Sequence, residues 1–253
     1  MTSTSLAAPS TAQAATLAPS IIVSQSLPAV ATSPTAQFLQ VARSTLSIAR
    51  VATYESAAVS AGQPDDRVME LYAWNAEVSG AFLTPLHICE VVIRNAVSEA
   101  LTQQYGAAWP WSTGFLRSLP SSGGGYDAQM DLRRTSAKHQ TQGGVIAELK
   151  NVFWEKLFTK RNDQRLWNPY LFQLFPNLDS TQPVRIHRTR IASDLEALRR
   201  LRNRIAHHEP IFTRNLQSDF QKLQHLIELR CAHTALWMTQ SQRVTTVLPA
   251  RPF

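Results

Sequence analysis

The chain has 253 residues, of which 44% are hydrophobic, so it can bury a core. Its net charge of +7 and its excess of arginine over lysine favour an anionic partner such as nucleic acid, because a guanidinium group donates two parallel hydrogen bonds to a phosphate. Two cysteines, Cys89 and Cys231, are too few for a zinc site or a disulfide framework and indicate reduced, buried thiols of a cytoplasmic protein. No stretch has the length and apolarity of a membrane span, so we expect no membrane contact.

The composition predicts three parts along the chain. Residues 1–36 contain mainly Ala, Ser, Thr, Pro and Gln, and the first charged residue is Arg43. This predicts a disordered tail, or translation from an upstream start codon, in either case without chemistry. Residues 37–242 show helical periodicity and predict one all-α bundle of about six to eight helices. Residues 243–253 are expected to form a flexible C-terminal tail.

The helical pattern divides this domain into successive segments. Two prolines are expected to begin helices, Pro64 and Pro85, and Gly106 is expected to end the second of them. Residues 118–144 predict a flexible connector around a short polar helix. The other predicted helices lie at 38–57, 145–158, within 166–178, at the segment that ends at Pro210, and at 216–240.

The helix before Pro210 carries an unusual group of polar residues at its end. Its apolar stripe consists of Ile191, Leu195, Leu198, Leu201 and Ile205. Arg202 lies at the edge of this stripe, Asn203 and His207 share a face turned away from the core, and His208 lies on the other flank. Pro210 places both histidines in the final helical turn. A purely structural interpretation also fits, since basic residues near a helix C-terminus complement its dipole.

The helix from Pro85 to Gly106 places a carboxylate in its own apolar stripe. That stripe consists of Leu86, Cys89, Ile93, Val97 and Ala100. Glu90 falls within it and Arg94 lies one turn later, at its edge. Because burying an unpaired carboxylate costs several kcal/mol, we expect the two to pair. The pair either fixes helix packing or orients the groups around Arg202.

Several segments resemble one known family. "LYAWNAEVSGAFLTPLHICEVVIRNAVSEALTQQYG", "IAELKNVFWEKLF" with "RLWNPYLFQLFP", and "LRRLRNRIAHHEPIF" are similar to the Abi-like abortive-infection proteins related to AbiD and AbiF. The resemblance runs from about residue 65 to residue 235, with the segments in the family's order. One departure is Val152, where relatives usually have glycine before Phe-Trp.

The resemblance implies a fold, an activity and a set of site residues. These proteins belong to the all-helical HEPN superfamily, whose active members carry Arg, then four to six residues, then His, commonly with a polar residue after the Arg. Arg202, Asn203 and His207 fit this pattern, and His208 fits its five-residue spacing, so the choice of histidine stays open. The accessory candidates are Glu90, Arg94 and Asn95. The family implies RNA cleavage without a metal or cofactor, usually by a homodimer, in phage defence.

The chemistry of such a site can be derived from its side chains. Histidine ordinarily titrates near neutrality, so one imidazole can accept the proton of the ribose 2′-OH and another can protonate the 5′-oxygen. Arg202 would stabilise the phosphate charge, and Asn203 would orient the imidazole or the phosphate. The second histidine would come from a homodimer in which the 193–208 helices meet, with Ile211 and Phe212 as interface candidates, or from His208. Two alternatives remain: a non-catalytic RNA-binding or regulatory protein, and a structural dimerisation module. No motif identifies a neutralising partner protein.

Overall fold

The computed structural model describes residues 36–121 and 125–253, so the predicted tail at 1–36 lies outside the described residues except for Ala36. All regular elements in the described ranges are helical, which confirms the all-α prediction. The described residues form twelve α-helices, more than the six to eight expected. They are α1 Ala36–Leu46, α2 Ile48–Ser60, α3 Val68–Tyr105, α4 Thr113–Ser118, α5 Ala128–Lys138, α6 Gln142–Glu148, α7 Asn151–Leu157, α8 Asn168–Leu174, α9 Val184–Ala206, α10 Leu216–Arg230, α11 Ala232–Ser241 and α12 Val244–Val247.

The central helix, α3, corrects two expectations. Pro85 does not begin a helix; it lies buried inside α3, which runs for 38 residues and ends at Gly106, as predicted, with φ 81°. Burial of apolar residues on both sides of Pro85 offsets the lost backbone hydrogen bond. This continuity also produces an 18-residue window with a mean hydropathy of 1.4, enough for a membrane span by length and composition, so the expectation that no stretch meets these criteria is wrong. A buried core helix meets the same criteria, and α3 packs against α2, α9, α10 and α12.

Three predicted helices are divided in two. Ser47 separates α1 from α2 with φ 74°, and its side chain accepts a hydrogen bond from the backbone N–H of Arg50, so it caps α2. Extended backbone at Leu149 and Lys150 separates α6 from α7. Extended Cys231 separates α10 from α11 and is only half-buried, which corrects the prediction of a buried thiol there.

The predicted apolar stripes of α3 and α9 are confirmed. All five stripe residues on each helix are buried. Among them, Cys89 is 3% exposed, and burial raises the pKa of its thiol to about 12. Asn75, near the start of α3, contacts Ile211, just beyond the end of α9. Glu90, further along α3, lines a cavity with Leu195, further back along α9, so the two helices run antiparallel. This packing fixes the end of α9 beside the N-terminal half of α3.

Residues 243–253 are not a flexible tail. They form α12 and a 3₁₀ turn, and Val244 and Val247 are buried. The carbonyl of Val247 accepts a hydrogen bond of 2.9 Å from the indole of Trp74, and the carbonyl of Pro252 accepts one of 3.0 Å from Arg67. The prediction failed because these apolar residues complete the core on α3, far away in the sequence.

Candidate functional site at the end of α9

The predicted motif lies on the surface at the C-terminal end of α9. Arg202 and Asn203 belong to its last helical residues, and His207 is the first residue after the helix. All three side chains are exposed. None of them forms a hydrogen bond or an ion pair with any described residue. Their donor and acceptor groups are therefore available to a ligand.

His208 reverses the chain direction after α9. Its φ of 55° is in the left-handed region, which glycine usually occupies at a helix end. The His208 N–H bonds to the carbonyl of Ile205 at 3.0 Å, and the Glu209 N–H bonds to the carbonyl of Arg204 at 2.8 Å, which is the hydrogen-bond pattern of a Schellman motif. The helix ends at Ala206, so both histidines lie just beyond it rather than in its final turn.

The left-handed backbone predicts a measurable strain at His208. Replacing His208 by glycine should raise the free energy of unfolding by about 0.5–1 kcal/mol, because glycine has no Cβ to oppose this conformation. His207→Gly is the matched control. His207 has φ −94°, so glycine there should lower the free energy of unfolding by about 0.5–1 kcal/mol through the greater entropy of the unfolded chain. Urea unfolding would measure both values, and a shift of the same sign in the two variants would refute the strain.

Two arginines hold the turn that follows the motif. Arg50 of α2 donates a hydrogen bond to the carbonyl of His208. Arg204 donates two hydrogen bonds, of 3.0 and 2.7 Å, to the carbonyl of Pro210 and lies 3.6 Å from the Glu209 carboxylate. These contacts fix the backbone that carries the histidines. Sequence reasoning did not find Arg50, because the two contacting residues are 158 positions apart.

A buried amide of α3 fixes the next part of the same turn. The Oδ1 atom of Asn75 accepts the backbone N–H groups of Ile211 at 2.8 Å and Phe212 at 3.2 Å. Both residues belong to the chain's own core, at 0% and 4% exposure, and the Phe212 ring lies 5.2 Å from the ring of Tyr54. The expectation that Ile211 and Phe212 form a dimer interface is therefore wrong.

The accessory candidates on α3 lie apart from the motif. Arg94 pairs with Glu90, as predicted, and also donates a 3.2 Å hydrogen bond to a backbone carbonyl of α6. Glu90 lines a small cavity with Leu195, Leu198 and Arg199 of α9, and Asn95 is exposed. Among the described contacts, none joins Glu90, Arg94 or Asn95 to Arg202. The pair therefore fits the structural interpretation, in which it fixes helix packing.

The same Arg-His spacing occurs a second time, and sequence reasoning missed it. Arg134 and His139 also have four residues between them, and His139 directly follows α5. Here the imidazole Nε2 contacts the carboxylate of Glu148, which Lys138 also contacts. The histidine at the end of α5 is thus already engaged, unlike His207. The Arg-His spacing alone therefore does not identify a site. The pair on α9 differs from the pair on α5 because the imidazole of His207 is unpartnered.

Positive charge is concentrated on α9, which contains seven arginines. Four of them lie within ion-pair distance of an acidic side chain: Arg188 with Asp163, Arg199 with Glu155, Arg200 with Glu196 and Arg204 with Glu209. Arg202 has no such partner among the described residues, so its charge is not neutralised locally. This position therefore favours an anionic ligand.

The part of the chain that the structure describes holds no cluster of three or more His, Cys, Asp or Glu side chains able to hold a metal ion. Comparison of the chain with family models, with curated proteins and with solved structures found no match in any of the three.

Proposed function

We propose that the chain is an endoribonuclease that cleaves RNA without a metal ion, through attack of the ribose 2′-OH on the adjacent phosphate. One observation carries the proposal: Arg202, Asn203 and His207 are exposed and unpartnered together, beside a turn held by side chains of α2, α3 and α9. Because these groups are unpartnered and their backbone is fixed, they are available to bind a phosphate and stabilise the charge that develops on it. The resemblance of the motif to the HEPN pattern supports the same conclusion.

The reaction needs one proton acceptor, one proton donor and one cation. A neutral His207 accepts the proton of the 2′-OH as the oxygen bonds to phosphorus. The Arg202 guanidinium donates hydrogen bonds to the non-bridging oxygens, where negative charge increases. The bond to the 5′-oxygen then breaks, and a protonated imidazole supplies the proton to that leaving group. The products are a 2′,3′-cyclic phosphate and a 5′-OH, with Asn203 orienting the phosphate or the imidazole.

The proton donor must be a second imidazole, because one ring does not reach both sides of the phosphorus during a single displacement. We assign this role to His207 of a second copy in a homodimer, with His208 as the intramolecular alternative. Ile211 and Phe212 are buried, so such an interface would use the exposed polar face of α9. The setting we propose is cytoplasmic phage defence by abortive infection, which rests on the family resemblance.

A substrate comparison tests this function. In the presence of EDTA, the purified protein should cleave an RNA oligonucleotide and leave DNA of the same sequence intact, because DNA lacks the 2′-OH nucleophile. Gel electrophoresis of labelled strands measures both reactions. Salt-sensitive RNA binding without any cleavage would instead support the non-catalytic RNA-binding alternative.

A further inference from the structure

A cleft of about 390 Å³ lies beside the motif, between α2, α3 and the end of α9. Its volume is in the range of small-ligand sites, and most of its lining is nonpolar. Its walls include Tyr54, Tyr72, Asn75, Gly80, Leu83 and His208. We refer to it below as the α2–α3 cleft.

Two buried side chains in the wall of this cleft carry a polar group that has no partner among the described residues. Asn75 is 5% exposed; its Oδ1 accepts the two backbone N–H groups, but its Nδ2 has no hydrogen-bond partner among the described residues. Tyr54 is 2% exposed, and its hydroxyl likewise has none. Burial raises the pKa of Tyr54 to about 12, so the hydroxyl remains a neutral donor. Neither atom belongs to the fully buried polar atoms without a partner, so each retains contact with solvent and can donate a hydrogen bond to the polar edge of a ligand.

The remaining wall offers an aromatic ring and an aliphatic side chain. Tyr72 is half-buried, and its ring centroid lies 4.8 Å from that of Tyr54 at an interplanar angle of 48°. Leu83 provides an aliphatic side chain that is 53% exposed. An aromatic ring, an aliphatic side chain and two donors together match a nucleobase, which has apolar faces and hydrogen-bond acceptors at its edge.

The cleft and the motif adjoin each other. Ala206 and His208 line the cleft, and Arg202 precedes Ala206 by four residues, which places both on one side of α9. A phosphate held by Arg202 and His207 would therefore place its attached nucleoside at the mouth of the cleft.

We infer that the α2–α3 cleft binds the nucleobase next to the scissile phosphate. The base packs on Tyr72, and its edge accepts hydrogen bonds from Nδ2 of Asn75 and from the hydroxyl of Tyr54. This assignment rests on the proposed ribonuclease function and adds a base-recognition site to it.

The test uses uncleavable 2′-O-methyl oligonucleotides in which a single abasic position is moved along the strand. In the wild-type protein, one abasic position should weaken binding by about 10-fold, the scale of stacking a base on an aromatic side chain. Gly80→Phe should abolish this discrimination by filling the cleft. A Cβ at Gly80 meets no atom within 4 Å, so the substitution starts in open space. Val91→Phe adds the same side chain to an exposed position of α3 outside the cleft and should retain the discrimination.

A second variant removes a single atom. Tyr54→Phe keeps the ring and deletes the unpartnered hydroxyl, so binding should weaken by about 3- to 10-fold with an unchanged melting temperature. Equal binding of intact and abasic strands by the wild type, or unchanged discrimination in Gly80→Phe, would overturn the assignment. If RNA is bound with this base dependence but never cut, the nuclease proposal fails and the cleft remains assigned as a base-binding site without a cleavage reaction beside it. If Gly80→Phe cleaves RNA at the wild-type rate and still discriminates between intact and abasic strands, the cleft assignment fails and the nuclease proposal stands.

Discussion

Replacing His207 or Arg202 by alanine should lower the rate of RNA cleavage by at least about 100-fold, because general acid–base catalysis and stabilisation of the phosphate charge each contribute on that scale. Both side chains are exposed and form no hydrogen bond or ion pair within the described ranges 36–121 and 125–253. The free energy of unfolding should therefore change by no more than about 0.5 kcal/mol. Initial rates with EDTA and urea unfolding of the same preparations measure the two effects.

The chain supplies its own matched controls for this experiment. Arg134→Ala and His139→Ala alter the second copy of the same spacing, whose imidazole is engaged by Glu148, and should leave the cleavage rate within about twofold of wild type. His208→Ala should reduce the rate less than His207→Ala does. A loss as large as that of His207→Ala would reassign the catalytic role to His208, and wild-type rates in both α9 variants would refute the site.

Replacing Asn75 by alanine should destabilise the protein by about 2–4 kcal/mol, because each buried N–H that loses its acceptor costs about 1–3 kcal/mol. The two donors affected are those of Ile211 and Phe212, which follow directly after the motif. The same change should free the turn at the end of α9 and reduce RNA cleavage. Chemical denaturation and initial rates measure both consequences.

Asn95→Ala is the control for this prediction. It makes the same substitution on the same helix, at an exposed position, and should change the free energy of unfolding by less than about 0.5 kcal/mol. Equal, small effects of Asn75→Ala and Asn95→Ala would show that the amide does not hold the turn.

Much of the helical framework could be predicted from the sequence. The stripes of α3 and α9 follow from the 3.6-residue period, and every stripe residue proved buried. The helix boundaries were harder to predict from the sequence. Pro85 looked like a helix start, but packing along the whole of α3 outweighs its local effect. Ser47 and Cys231 interrupt helices without a proline or glycine to mark the change of direction.

The candidate site could be predicted only in part. The residues of the motif are close together in the sequence, so their spacing revealed them. The groups that hold the following turn are distant: Asn75 contacts Ile211 across 136 positions, a pairing that local pattern cannot reveal. The engagement of His139 by Glu148 likewise required the packing of α5 beside α6.

The most direct test of the central claim is the chemistry of the RNA ends that the wild-type protein leaves in the presence of EDTA. Attack by the 2′-OH predicts a 2′,3′-cyclic phosphate on one fragment and a 5′-OH on the other, with both products lost in His207→Ala. Mass spectrometry of a short oligonucleotide after cleavage at one bond distinguishes the two termini. A 3′-OH with a 5′-phosphate would contradict the account, because those ends require water rather than the ribose as the nucleophile.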